Sequence, residues 1–294
     1  MGYRVFSLKG SVPNNDPGFS LKAQHYQEIL SLKPPLSWFE LHPENLVSGT
    51  TLSYVQEIRK DYLLSFHSVG LSLGSPSFND THLQFLVPLV RQLCPSLIST
   101  HVSWNYYEGT YFDALLPLPY NQESFQVVAD NIARVQDAFG QKILIENPAT
   151  YTELPGSTMD EATFIIDLPL KTGCGILLDV NNVYINSVNH GLDAKAYLKK
   201  IAESGFVGEL HLGGHESHMT PEGQEILLDT HNGYVSEAVW QLYAWTLQHL
   251  PGPVPTLIEW DASVPPLKDL LTERARAQNY IRAAYETEGL TESI

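Results

Sequence analysis

The sequence predicts a single (β/α)8 TIM barrel, and three observations predict it. Eight short runs of β-forming residues are each followed by a helical pattern or a long loop. Composition does not break between the halves of the 294 residues, of which 43% are hydrophobic and 17% charged, enough for one sizeable core. The uncommon polar residues fall where the β runs stop, the end at which such barrels bind ligands. A doubly wound sheet, which binds at the same strand ends, is the nearest alternative.

The elements follow in order. Residues 1–17 end in Pro13-Asn-Asn-Asp-Pro17 and read as an irregular arm, leaving 18–294 as the barrel domain. Residues 18–23 read as the first strand and 25–31 as a short helix closed by Pro34-Pro35. The second strand, 37–42, alternates apolar and polar residues; 51–59 is helical and 63–67 is the third strand. A glycine- and serine-rich loop over 70–79 precedes a helix to Leu93 that Asn79 or Asp80 caps. Residues 97–101 form the fourth strand, and a long aromatic loop from Trp104 to Tyr120 has the length of a functional one. Asn121 caps a helix to Phe139 with Gly140 as its stop, and 143–145 is the fifth strand. Ser157 caps a helix over 159–171 that Gly173 ends; 175–179 is the sixth strand, 193–204 a helix and 208–212 the seventh strand. The segment to His231 reads as loop, 235–250 as helix, 256–259 as the eighth strand and 266–286 as the closing helix.

A formal charge of −16 speaks against nucleic acid, whose binding needs clustered Lys and Arg. No apolar stretch is long enough to span a bilayer, and the opening Met1-Gly-Tyr-Arg-Val-Phe6 lacks the apolar run of a signal peptide. The two cysteines, Cys94 and Cys174, match neither a zinc knuckle nor a disulfide framework, so a reducing, cytoplasmic location is expected. There is no Ser-His-Asp order, no nucleophile elbow and no phosphate loop.

The run Lys142-Ile-Leu-Ile-Glu-Asn-Pro148 stops at a carboxylate. Burying Glu146 ionised without partners costs on the order of several kcal/mol, so cations must be near it. Few Lys or Arg stand at the other strand ends. His, Asp and Glu stand there instead: Glu40 and His42, His67, His101, Asp179, His211 and Glu259, with Asp229 and His231 in the loop after the seventh strand. One such histidine is more often structural than a ligand. Their recurrence at seven successive strand ends, which a barrel brings to one pocket, points to metal. Mixed nitrogen and oxygen donors suit iron, zinc or manganese, and ten candidates exceed one ion's demand, so two or three ions are expected.

His42-Pro-Glu-Asn45, His67-Ser-Val-Gly-Leu-Ser-Leu-Gly-Ser75, Leu116-Pro-Leu-Pro-Tyr120, Ile145-Glu-Asn-Pro148, Leu178-Asp-Val-Asn-Asn-Val-Tyr184, Val188-Asn-His-Gly191, His211-Leu-Gly-Gly-His215, Asp229-Thr-His231 and Leu257-Ile-Glu-Trp260 together resemble the multinuclear non-haem iron-dependent oxidases, a family that includes the methanobactin biosynthesis oxidases. The resemblance covers residues 18–280. It extends to the barrel-type apurinic endonucleases, which hold three zinc ions, through the pair Asp229 and His231; where the endonuclease pattern has His, this chain has Asn182, and Thr100 stands where the oxidases carry Glu.

The resemblance implies a metal-ligand set of His67, His101, Glu146, Asp179, Asn182, His211, Asp229, His231 and Glu259, with Glu146 bridging. It places Glu146, Asp179 and His211 at the catalytic centre and His190 in contact with substrate, while Glu40 and His42 orient ligands. His25 and His215 match family positions without a role, and His82, His218 and His249 read as surface or helix residues. The implied activity is oxidation of cysteine in a ribosomally made precursor peptide by iron and dioxygen, with a small partner protein presenting the peptide. A zinc or manganese phosphoesterase or sugar isomerase, and a non-catalytic metal- or peptide-binding protein, are the alternatives.

Overall fold

The computed structural model describes residues 12–285. Residues 1–11 of the expected arm and Glu286 of the expected closing helix lie outside the described residues.

In chain order the elements are β1 (Gly18–Ser20), α1 (Tyr26–Leu32), β2 (Trp38–Leu41), α2 (Gly49–Arg59), β3 (Leu63–Ser68), α3 (Asp80–Leu93), β4 (Leu97–His101), β5 (Trp104–Tyr107), β6 (Thr110–Leu116), α4 (Gln122–Phe139), β7 (Leu144–Glu146), α5 (Glu161–Thr172), β8 (Gly175–Asp179), α6 (Val180–His190), α7 (Ala194–Ala202), β9 (Val207–Gly213), β10 (His215–Met219), β11 (Glu225–Asp229), α8 (Glu237–Leu247), β12 (Thr256–Glu259) and α9 (Leu267–Tyr285). Eight strands close in the order β1-β2-β3-β4-β7-β8-β9-β12. Every neighbouring pair is parallel, and Phe19 of β1 registers with Phe39 on one side and Ile258 on the other. The predicted single (β/α)8 TIM barrel is the observed fold.

Strand side chains alternate between the two faces, and this alternation sorts the barrel's chemistry. Phe39, Leu64, Ile98, Ile145, Leu178, Leu210 and Ile258 face the helices in the main core. The opposite set, Trp38, Leu63, Leu97, Leu144, Leu177 and Leu257, packs together with Val12 as a separate apolar plug inside the barrel. Two residues further along the same inward faces stand Glu40, Ser65, Ser99, Glu146, Asp179 and Glu259. One end of the interior is therefore apolar and the other polar. The segment before β1 seals the apolar end: Trp38 Nε1 donates to Asp16 O at 2.8 Å and Arg274 Nε to Pro17 O at 2.8 Å. Trp38 lies over Gly18, where a Cβ would fall 2.6 Å from its ring.

Three expectations need correction, and one helix has no counterpart in the sequence reading. The aromatic loop after β4 is a two-stranded antiparallel hairpin, β5 with β6, turning at Glu108 and Gly109 with φ of 45° and 86°. The segment before His231 is a second hairpin, β10 with β11. The stretch after β8 is the helix α6, begun by Asp179, whose side chain accepts from Asn182 N, and closed by Gly191 at φ 73°. Asp160, not Ser157, caps α5; Ser157 Oγ instead accepts from Tyr120 N at 3.0 Å.

Candidate metal centre

Every donor of the centre sits at or just past the C-terminal end of a strand, so neighbouring strands deliver their last inward residues to one place. His101 on β4 registers beside Glu146 on β7, and Asp179 on β8 beside His211 on β9. His67 Nε2 and His101 Nε2 each lie 3.3 Å from Glu146 Oε2. The His67 ring is 4.6 Å from that of His101 and 5.5 Å from that of His211, centroid to centroid. His231 Nε2 lies 2.7 Å from Asp229 Oδ1 and 3.5 Å from Glu259 Oε2. Donor atoms converge in overlapping groups: His67, His101 and Glu146; Glu146, Asp179 and His211; Asp179, His231 and Glu259. Glu146 belongs to two of these groups, and so does Asp179.

The far sides of the rings are held by the protein. Ser99 Oγ is 2.8 Å from His67 Nδ1, and Asp261 Oδ2 is 3.2 Å from His231 Nδ1. His211 is flanked on both nitrogens, with Glu259 Oε2 3.0 Å from Nδ1 and Glu40 Oε1 3.2 Å from Nε2. Ser65 Oγ donates to Glu40 Oε2 at 2.8 Å. Such partners fix ring orientation and tautomer at metal sites. Asn182 Nδ2 donates to Asn147 O at 3.1 Å and to Glu146 Oε1 at 3.3 Å.

Burial and mutual charge dominate the electrostatics of the centre. Burial pushes Glu146 well above the usual carboxylate range, and burial with the charges of Asp229 and Glu259 pushes Asp179 up to about 7. Burial lowers His101 to about 4 and takes His67 well below its ordinary value, helped by the His101 imidazole. Burial acts in the same direction on His211 and His231, but Glu40 and Glu259 carry His211 well above the ordinary value, and Asp229 and Glu259 do the same for His231. Against burial, His231 and His211 hold Glu259 below the carboxylate range.

The atoms of the donor set themselves fit a metal. Among the described residues, His67 Nε2, Glu146 Oε2, Asp179 Oδ2, Asn182 Oδ1 and His211 Nε2 are buried and make no hydrogen bond. Buried polar atoms are almost always paired, so a cluster of unpaired nitrogens and oxygens is unusual. The described residues that surround it offer no thiolate: Cys94 is exposed and Cys174 is a buried core residue. Imidazole and carboxylate donors of this kind fit iron, zinc or manganese.

The structure thus brings together His67, His101, Glu146, Asp179, Asn182, His211, Asp229, His231 and Glu259. It does not bring His190 among them. His190, the last residue of α6, has Nε2 2.8 Å from Thr150 O and 3.0 Å from Thr150 Oγ1. It lines a separate cavity of about 370 Å³ with Tyr120 and Glu161. His42 stands at the edge, its ring 5.6 Å from that of His67 and its Nε2 3.8 Å from Asp261 Oδ2. His25 hydrogen-bonds Pro265 O, His215 is held by Asn181, and His82 by Glu44.

Two residues of the centre escaped sequence reasoning. Glu209 is 0% exposed, lies 3.7 Å from His211 Nε2, and makes no hydrogen bond with either oxygen. Burial and the Glu40 charge push it up to about 7. Asp261, two residues past Glu259, joins His231 to Lys22, the one basic side chain in contact with the described centre. Both were detectable by the period of two, since each shares an inward face with a recognised donor.

The profile of a family described as RiPP precursor modification enzyme MbnB/TglH/ChrH matches residues 16–282. A UPF0276 protein of Bordetella pertussis is 43% identical over 262 residues, covering 88% of this chain and 90% of the relative. A UPF0276 protein of Chromobacterium violaceum is 41% identical over 271 residues, covering 92% and 96%. Among solved structures, a D-tagatose 3-epimerase-like protein superposes with a TM-score of 0.61 at 13% identity, covering 93% of this chain and 99% of that one. A xylose isomerase-like TIM barrel protein from Mycobacterium smegmatis, in complex with magnesium, gives 0.58 at 12% identity, covering 89% and 88%. At these identities the structural likeness establishes the fold alone.

Proposed function

From the premise that the chain belongs to the MbnB/TglH/ChrH family of RiPP precursor modification enzymes, we propose that it is a multinuclear iron- and dioxygen-dependent oxidase acting on cysteine in a ribosomally made precursor peptide. The observation that carries the proposal is the cluster of buried, unpaired imidazole and carboxylate atoms at the C-terminal end of the barrel. His67, His101 and Glu146 would hold one ion, Glu146, Asp179 and His211 a second, and Asp179, His231 and Glu259, with Asp229, a third. Bound iron supplies dioxygen chemistry and an attachment point for the cysteine sulfur.

The chain's own residues do the rest. Glu146 and Asp179, each shared between donor groups, tie the positions together. Ser99, Glu40 and Asp261 orient the three rings they touch. Asn182, three residues past the capping Asp179, turns its Nδ2 to Glu146 and leaves its neutral Oδ1 as a weaker oxygen donor. His190, held by Thr150 at the neighbouring cavity, is proposed to contact the peptide away from the reacting sulfur. A small partner protein is proposed to present the peptide, in a reducing cytoplasm where Cys94 and Cys174 stay free.

The test is anaerobic purification, metal analysis, reconstitution with iron, and mass spectrometry of a cysteine-bearing precursor peptide before and after adding dioxygen. The expected result is bound iron and a dioxygen-dependent mass change that Glu146→Ala abolishes. Turnover without dioxygen, using zinc or manganese, would replace this reading with hydrolytic or isomerase chemistry.

A further inference from the structure

At the same end of the barrel as the candidate centre lies a second cavity, of about 610 Å³, walled by Glu44, Gly70, His82, Asn105, Tyr111 and Asp113 among others. Glu44 follows His42 in the short turn Pro43–Asn45, Gly70 follows β3, which carries His67, and Asn105 lies on β5 just after His101. The cavity therefore lies among the segments that follow β2, β3 and β4, at the end of the barrel where His67 and His101 stand.

Its polar atoms are lopsided. The side-chain donors are already engaged: Asn105 Nδ2 donates to Val69 O at 2.8 Å, Tyr111 Oη to Gly70 O at 2.5 Å, and His82 Nε2 sits 3.0 Å from Glu44 Oε1. Glu44 Oε1 also receives Ser68 Oγ at 2.6 Å and Gly70 N at 3.1 Å. Two buried acceptors have no donor: Glu44 Oε2 and Asn105 Oδ1, the latter on a side chain only 7% exposed. Asp113 adds a further carboxylate, and Tyr111 and Phe112, 49% and 39% exposed, offer ring faces on the overhanging hairpin. Among the described residues, no Lys or Arg lines the cavity. Spent donors, free acceptors, negative charge and aromatic faces are what a cation with several N–H groups requires.

We infer that this cavity is a subsite for a basic side chain of the precursor peptide, an ammonium or guanidinium placed close in sequence to the reacting cysteine. The inference rests on the peptide-modification reading and names the feature by which this enzyme selects its peptide. Gly70 is part of the construction, because a Cβ there would fall 2.6 Å from His82 Nε2 and from Tyr111 Oη.

The experiment measures binding, by calorimetry under argon, of hexapeptides containing serine in place of cysteine to the full metal-free chain. One series carries Lys or Arg one, two or three residues from the serine; the matched series carries norleucine or citrulline. Neither metal nor dioxygen enters, so failure here is distinct from failure of the oxidase reading. The expected result is about tenfold tighter binding of a charged peptide than of its neutral match, falling to near parity in Glu44→Gln and reduced in Asn105→Ala. Asn105→Ala, which leaves the Glu44 hydrogen bonds in place, serves if Glu44→Gln perturbs folding. A lysine preference over arginine would identify an ammonium site, the reverse a guanidinium site. Equal affinity for charged and neutral peptides, no binding of either, or a preference unchanged in both variants would overturn the proposal.

Discussion

Glu40 reaches across the barrel interior from β2 to β9 and sets its Oε1 3.2 Å from Nε2 of His211. The two strands are not neighbours; β1 and β12 lie between them. The contact is made because both side chains point inward at the polar end, and it leaves the His211 ring held between two carboxylates.

Removing that contact should therefore loosen metal without unfolding the barrel. Glu40→Ala is expected to weaken metal affinity about 10–100-fold, the range for losing a carboxylate that orients a ligating ring. Competition with a chromophoric chelator measures it. An unaltered affinity would show that the ring is positioned by Glu259 alone.

Two glycine substitutions should separate metal holding from folding. At Gly213 a Cβ would lie 2.6 Å from Cδ2 of His231, so Gly213→Ala displaces that imidazole. Metal content measured by elemental analysis should drop while the thermal midpoint of the metal-free protein changes little. At Gly18 a Cβ would strike Trp38 in the apolar plug at the same 2.6 Å. Overpacking of that kind costs about 1–3 kcal/mol. Thermal unfolding of Gly18→Ala should move down by roughly 2–4 °C per kcal/mol, with stoichiometric metal retained.

Metal should protect the fold strongly. A ligand at about 1,000 times its dissociation constant adds about 4 kcal/mol to stability. Scanning calorimetry with and without metal should record that increment in the native chain and its loss in Glu146→Ala, the variant lacking the carboxylate shared by two donor groups. An equal increment in both proteins would remove Glu146 from the centre.

The metal-free protein should lose stability as pH rises from about 6.5 to 8. Asp179 and Glu209 have folded values of about 7, raised from ordinary values of 3.8 and 4.5. Such groups contribute stability that is complete below the unfolded value and is lost as pH climbs through the folded one. His211 and His231, raised well above 6.5, act in the same direction. His67 and His101, both lowered, have the opposite effect, with stability lost as pH falls below 6.5 towards about 4 for His101. The window above 6.5 is therefore the clean one, at up to about 1.4 kcal/mol per pH unit for each proton. Because metal displaces those protons, its affinity should rise across the same window. Chemical denaturation and chelator competition at matched pH values test both slopes, and Asp179→Asn should flatten each.

Much of this was legible in the chain because burial and chemistry coincide at strand ends. The eight barrel strands read correctly because their apolar runs are short and punctuated, and because the residues that end them are costly to bury. What failed to read has physical causes. Three buried asparagines, Asn181, Asn182 and Asn186, make α6 look like a loop, since asparagine is a poor helix former. Here their amides bind Asp229, Asn147 and Pro148, so contacts with other elements outweigh propensity. The hairpins were hidden by uneven alternation, broken in β5 and β6 by a register shift between Trp104 and Tyr106. Glu209 is hidden because it stands at the third inward position from the strand mouth, inside an apolar run, rather than at its end.

Asn147 carries a consequence of its own. Its side chain copies a backbone: Oδ1 accepts from Asp179 N at 2.9 Å and Nδ2 donates to Asp179 O at 3.0 Å. The backbones that bear Glu146 and Asp179 are thereby clamped as one rigid piece, like the fixed jaw of a vice. The spacing of the two shared carboxylates is thus set by Asn147, a residue outside the candidate donor set, and any cations held between them would have to match that spacing.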